Sequence, residues 1–235
     1  MDVLIENADV FARGFLVTLQ ICIISAIGAL ILGTVLAAFR ISPIPPLRWL
    51  GTAYVTVLRN TPLTIVFFFM AFAMPELGSN ADILRIPLLE KLFTRLGTDL
   101  PFFRFAILAL TIYTAAFVCE ALRAGINAVQ PGQSEAGRSL GLTFLQNLRL
   151  VVLPQAGRYS VVPLGSVIIA MIKNSALAGA FGVVGDLFSV ADDLTSAQGL
   201  PAIPVLIGVS AGFLIMTVPL GLTLDRIERR QAVSR

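Results

Sequence analysis

Glu120 and Lys173 are the residues best placed to do chemistry in a chain that is otherwise strongly apolar. Glu120 closes the uncharged run 105–119, and Lys173 stands alone near the middle of the apolar stretch from Tyr159 to Gly185. An ionisable group inside a membrane is costly and marks a functional site or a pair. Two structural readings stand beside the functional one. Glu120 and Lys173 could form a salt bridge that fixes helix packing. Alternatively, Glu120 could pair with Arg123, three residues on along the same helix face. Around Lys173, the segment "KNSALAGAFG" offers hydrogen bonds from Asn174 and Ser175. Its Ala and Gly let backbone approach a ligand closely, or let helices pack closely. Tyr113 and Thr114 place further polar groups one or two turns before Glu120.

These residues need membrane-spanning elements to hold them. Of 235 residues, 57% are hydrophobic and 13% charged, with a mean hydropathy of +0.88. Soluble domains carry about 25% charged residues. The length fits about five or six helices of about 20 residues each, with no room for a soluble enzymatic domain. A first span covers 14–39, between Arg13 and Arg40, and "RISPIPPLRW" follows as a Pro-broken basic loop. A second span begins around Pro62 and ends near Pro75. Residues 76–101 are mixed. There "PLLEKLFTRLG" sets Leu88, Leu89, Leu92, Phe93 and Leu96 on one helical face, the pattern of an amphipathic helix on membrane lipid. The third span starts near Pro101 and must bring Arg104 or Glu120 to the membrane boundary. Arg104 can snorkel, whereas the shorter Glu120 cannot reach far. The fourth follows from Tyr159 and the fifth from Pro201 to about Leu224, before the basic tail "DRIERRQAVSR".

Five spans put the termini on opposite sides. With the C-terminus inside, eleven arginines fall in inner segments and five basic residues in outer ones, leaving Lys173 in the membrane. The positive-inside rule therefore predicts an N-out, C-in orientation. The opening "MDVLIENADVFARG" is acidic and lacks a basic n-region, which predicts no cleavable signal peptide. There is no histidine, and Cys22 and Cys119 lie in separate apolar runs as packing residues. No metal site, cofactor or disulfide is expected, and nothing suggests nucleic acid as a partner.

One long inner loop, 123–158, breaks the apolar pattern. A Pro131-Gly132 turn leads into "QSEAGRSL", with Glu135 near a helix N-terminus, where negative charge is favoured. Gly141 breaks or bends that helix. "LTFLQNLRLVVLP" is a second helical segment, with Leu142, Leu145, Leu148 and Val152 at helical spacing and a stop at Pro154. The loop reads as two short helices joined at a glycine. It contains neither a nucleophile–base pair nor a phosphate cradle.

The loop residues "GQSEAGRSLG" and "LPQA", from Gly132 to Ala156, resemble the coupling-loop signature of ABC-importer permeases. "LRNTPLT", "YTAAFVCEALRAGINAV", "PQAGRYSVVPLG" and "KNSALAGAFGVV" resemble the polar amino-acid branch of that family in order and spacing, and the actinobacterial glutamate-importer permeases in particular. The resemblance spans about residues 14–230. It implies a single transmembrane permease domain over 1–235, with the all-α, five-helix, MetI-like fold of type I importers in a bacterial cell membrane. The implied partners are a second permease chain, a cytoplasmic ATP-binding subunit dimer and an extracytoplasmic solute-binding protein. A polar amino acid, glutamate above all, is the implied substrate. The matching loop positions, Gln133, Glu135, Ala136, Gly137, Leu140, Gly141 and Pro154, are expected to couple the loop to the ATPase. The family's second alanine is Gly137 here, which either lets the partner approach closely or marks one chain of a permease heterodimer. Arg59, Asn60, Thr61 and Pro62 match the branch pattern at the second span's entrance, at a permease interface or gate. Glu120, Lys173, Asn174, Ser175, Tyr113 and Thr114 are the candidate lining of the substrate path.

Other functions fit less well. A channel or other membrane pore would need polar rings from several helices, and only Lys173 lies mid-span. A membrane-embedded enzyme would need clustered acid–base groups. ATP hydrolysis is expected in a partner subunit, because the chain has no GxxxxGKS/T phosphate loop.

Overall fold

The computed structural model describes residues 2–76 and 101–233, all in helices and short connections. The expected amphipathic segment 88–96 lies outside the described residues. A short α1 (Asp2–Glu6) leads into α2 (Ala8–Ile41), the first span, longer than 14–39 at both ends. Its buried face is mostly small: Gly14, Thr18, Cys22, Ser25, Ala29, Gly33 and Ala37 recur at three- and four-residue spacing. Small residues let helices approach closely where burial from water gives no driving force.

The segment 40–49 departs from the Pro-broken loop expected of it. After Ser42 the chain forms α3 (Pro45–Asn60), with proline at the helix start. Proline at the first helical positions loses no intrahelical bond and presets φ, so the Pro45-Pro46 pair begins a helix instead of breaking one. The break comes later. Thr61 precedes Pro62 and is extended, with ψ 128°. The chain then turns by 101° into α4 (Leu63–Phe68), which continues through a π-turn at Phe69–Ala73 to Glu76. The second span is therefore bent. Four helices are long and apolar enough to cross a membrane, five with this bent pair counted as one.

The third span, α5 (Pro101–Asn127), is central and packs against α2, α3 and α4. Its approach to neighbours depends on missing side chains. A Cβ on Gly33 of α2 would lie 2.5 Å from Val118 Cγ1, and one on Gly125 would lie 1.9 Å from Ser160 Oγ.

The loop then forms α6 (Pro131–Ser139) and α7 (Phe144–Asn147). The second segment does not stop at Pro154, as its proline predicts. It passes through a π-turn at Leu148–Val152 into α8 (Leu153–Asn174), also in contact with α5. Pro154 stands in the first turn of α8, beside the π-turn, where the regular hydrogen-bond ladder is already interrupted and its missing N–H costs little. The fourth span thus starts earlier than Tyr159. It also ends earlier than Gly185: the hydrogen bonding loosens at Ser175–Ala176, where the backbone stays α-helical, and the span ends with the short α9 (Leu177–Ala180). Lys173 consequently occupies the last turn of α8, toward the end of the span and not its middle. Residues 186–200 hold α10 (Leu187–Asp192) and a π-turn at Asp193–Ala197. α10 packs back onto α2 and onto α11 (Ala202–Val233), which runs on through the basic tail.

Candidate functional site

Glu120 is the centre of an arginine cluster. Arg40, from the end of α2, is hydrogen-bonded to its Oε1. Arg59, from the last turn of α3, lies 3.2 Å from Oε2, and Arg123 lies 3.7 Å from Oε1. One carboxylate meets three guanidinium groups, so the cluster keeps a surplus of positive charge. None of Glu120's ion pairs among the described residues is with Lys173, so the pair expected between them does not form. Of the two structural partners considered, Arg123 is present but at the longest distance. The principal partner, Arg40, is 80 positions away and was read only as a flanking charge. Its signal was its place: it closes the first span at the same membrane end as Glu120. Arg59 turns toward Glu120, with Thr61 and Pro62 at the bend just beyond it. Asn60 and Thr61 bond back to the Thr56 and Val57 carbonyls of their own helix.

One turn from Glu120, α5 and α8 enclose a cavity of about 200 Å³. Tyr113, Thr114 and Phe117 line it from α5, and Ala170, Met171 and Asn174 from α8. Three of the six expected path residues therefore share one space. The Tyr113 and Phe117 rings stand 5.0 Å apart and form one wall. Lys173 is exposed next to Asn174. Ser175 is elsewhere. Its hydroxyl is fully buried, donates to the Ile172 carbonyl at 2.7 Å and accepts from Cys22 Sγ at 3.4 Å. It closes the end of α8 against α2 and does not line the cavity.

The loop presents a different surface. α6 begins with Pro131 and ends in a Schellman closure: Gly141 N donates to Arg138 O at 2.9 Å, and Leu142 N to Gly137 O at 3.2 Å. Gly141 has φ +83°, the left-handed conformation this closure needs. α7 then starts in a capping box between Thr143 and Gln146. Gln133, Glu135 and Ala136 are exposed on α6, and Pro154 on α8. Leu140 is 84% exposed, with Phe144 and Leu145 beside it, an apolar rim without cover in the isolated chain. Gly137 alone on that helix is buried. It faces Asn147 of its own chain, so the close neighbour seen in this chain is internal. Asn147, 5% exposed, is the residue the sequence reading missed; its Nδ2 donates to Ser134 Oγ at 2.8 Å and to Ser134 O at 3.1 Å.

Among the described residues there is no group of three potential metal ligands. Membrane-length helices, a largely apolar cavity with a few polar groups between two of them and a helical loop with an uncovered apolar rim define the membrane-embedded part of a transporter driven by another subunit. The chain belongs to the family described as binding-protein-dependent transport system inner membrane component, matched over residues 22–232. It is 39% identical over 228 residues to the glutamate transport system permease protein GluC of Corynebacterium efficiens, covering 94% of this chain and 93% of that one. It is 35% identical over 230 residues to the probable glutamine ABC transporter permease protein GlnM of Bacillus subtilis, covering 98% and 97%. A crystal structure of an amino acid ABC transporter with histidines superposes with a TM-score of 0.81 at 29% identity, covering 97% of both chains. The protein is a multi-pass inner-membrane permease subunit of an ABC importer, with the type I permease fold. Its ATPase activity lies in a separate subunit, and a second permease completes the membrane path.

Proposed function

We propose that this permease carries a polar amino acid, glutamate, through the cavity between α5 and α8. The protein lies N-out and C-in as one membrane domain. An extracytoplasmic binding protein delivers the substrate to the side of residues 186–200, and surrounding lipid covers the apolar helix faces. The observation that carries this reading is the cavity itself. Tyr113, Thr114 and Asn174 offer hydrogen bonds there, Lys173 precedes Asn174 on the same helix, and the cationic Arg40–Glu120–Arg59–Arg123 cluster lies one turn away. Excess positive charge suits a substrate with two carboxylates and one ammonium. The 39% identity to a glutamate permease supports the same substrate. On the cytoplasmic side, Gln133, Glu135, Ala136, Leu140 and the Gly141 junction form the face the ATPase grips. Reconstituting the complete importer with its binding protein and measuring uptake of L-glutamate, L-glutamine, L-aspartate and L-arginine tests the assignment. Preferred uptake of L-arginine would overturn it.

A further inference from the structure

We infer that Asn147 is a positioning residue for coupling, and that position 137 is glycine so that the Asn147 amide can fit against α6. The inference rests on the reading that the ATPase grips the outer face of this loop.

Asn147 ends α7, and its Nδ2 is held twice by Ser134, in the first turn of α6. That fixes α6 against α7 through a buried amide. The other end of the amide, Oδ1, is buried and has no hydrogen-bond donor among the described residues. It lies over Gly137. A Cβ placed there would be 2.4 Å from Oδ1 and 3.2 Å from Cγ. The glycine backbone faces the oxygen instead, a weak C–H contact in place of a collision. The amide cannot retreat without giving up Ser134. Nor can Gly137 move freely, since its carbonyl accepts the Leu142 N–H that closes the Schellman turn. Turn closure and amide clamp therefore meet on one residue.

Gln133, Glu135, Ala136 and Leu140 are exposed, whereas Gly137 and Asn147 are buried. α7 runs through the π-turn into α8, so Asn147 sets where α6 stands relative to the fourth span. A methyl at position 137 would push the two loop helices apart and misplace the gripped face while leaving its side chains intact.

The test uses the whole importer in nanodiscs, with its binding protein and L-glutamate. The measured quantities are assembled complex, basal hydrolysis, glutamate-stimulated hydrolysis and glutamate uptake per ATP. Gly137→Ala and Asn147→Ala should each leave assembly near normal and lower the stimulated-to-basal ratio by about tenfold, the scale of one lost buried hydrogen bond. Gly137→Ala combined with Asn147→Ala removes the clamp and the collision together, so it should be no poorer than either single variant. A fold defect alone would reduce assembled complex and leave uptake per ATP unchanged. Unchanged coupling in Gly137→Ala, or a double variant as poor as the product of the singles, would overturn the inference. Leu140→Asp, on the exposed face, separates the two levels. If it uncouples while Gly137→Ala does not, only the clamp fails. If neither uncouples, the docking reading fails with it.

Discussion

Glu120 shows how much a single side chain can reveal and conceal. A carboxylate at the end of an apolar run had to have a partner, and that need was legible in the sequence. The partner's identity was not, because Arg40 reaches Glu120 only once α2 and α5 pack side by side and parallel, 80 positions apart. The surrounding charges decide what removal should do. Glu120→Gln would leave three guanidinium groups facing one another. We expect it to cost about 2 kcal/mol, between the values for exposed and buried ion pairs, because Glu120 is 31% exposed. Glu120→Gln with Arg40→Met should regain much of that, whereas Glu120→Gln with Lys173→Met should not. Thermal melts of the three purified variants would decide this, and rescue by Lys173→Met would contradict the observed pairing. Lys173 has a separate expectation. Lys173→Met should raise the half-saturation concentration for glutamate uptake about tenfold, the loss of one charge-assisted hydrogen bond, with assembly unchanged. Normal half-saturation would remove Lys173 from the path.

At the scale of elements, caps and breaks decided where sequence reading succeeded. Gly141 marked a junction correctly because few other residues accept φ +83°. Prolines misled twice, each time by suggesting a break where a helix begins or continues. Pro45 and Pro46 start a helix, and Pro154 sits beside a π-turn, since proline breaks a helix only where it removes a bond the helix was making. No sequence pattern signals the π-turn that spares Pro154. Gly141→Val should insert normally, yet strain the junction by about 1–2 kcal/mol and lower glutamate-stimulated hydrolysis. Glu135→Lys should do likewise, by reversing a charge near a helix N-terminus. Wild-type stimulation in both would refute the role of α6. The α10 cap gives a pH-dependent expectation. Asp186 is buried; Oδ1 accepts the Ser189 N–H at 2.8 Å, and Oδ2 has no hydrogen-bond partner among the described residues. Burial raises its pKa above the ordinary 3.8, an effect partly offset by the hydrogen bonds from Ser189. The folded state therefore binds the proton more tightly than the unfolded one. Stability from this group is fully present below pH 3.8 and declines as pH rises from there through the raised value. Asp186→Asn, which keeps the cap acceptor, should melt no lower than wild type at pH 7 and lose that part of the pH slope. Asp186→Ala should lose about 1 kcal/mol with the cap. A steeper slope in Asp186→Asn would contradict the burial argument.

For the whole molecule, hydropathy made the spans and their order legible, while the bend at Thr61–Pro62 and the early end of the fourth span had to be seen. The proposed orientation rests on where the arginines sit, and labelling checks it. Both native cysteines are buried, so background should be low. In intact cells, an impermeant thiol reagent should modify Asp192→Cys and spare Ser139→Cys; the reverse would invert the molecule. The unbroken passage from loop to span has a mechanical consequence. From Phe144 to Asn174 the chain is helical throughout. At 1.5 Å per residue, this is a rod about 45 Å long. One end stands beside the apolar rim and the other lines the cavity. A tilt of about 5° at the first displaces the second by about 4 Å, the width of a small side chain. Beyond the Asn147–Ser134 clamp, no further relay of contacts separates the loop from the cavity: one lever spans both.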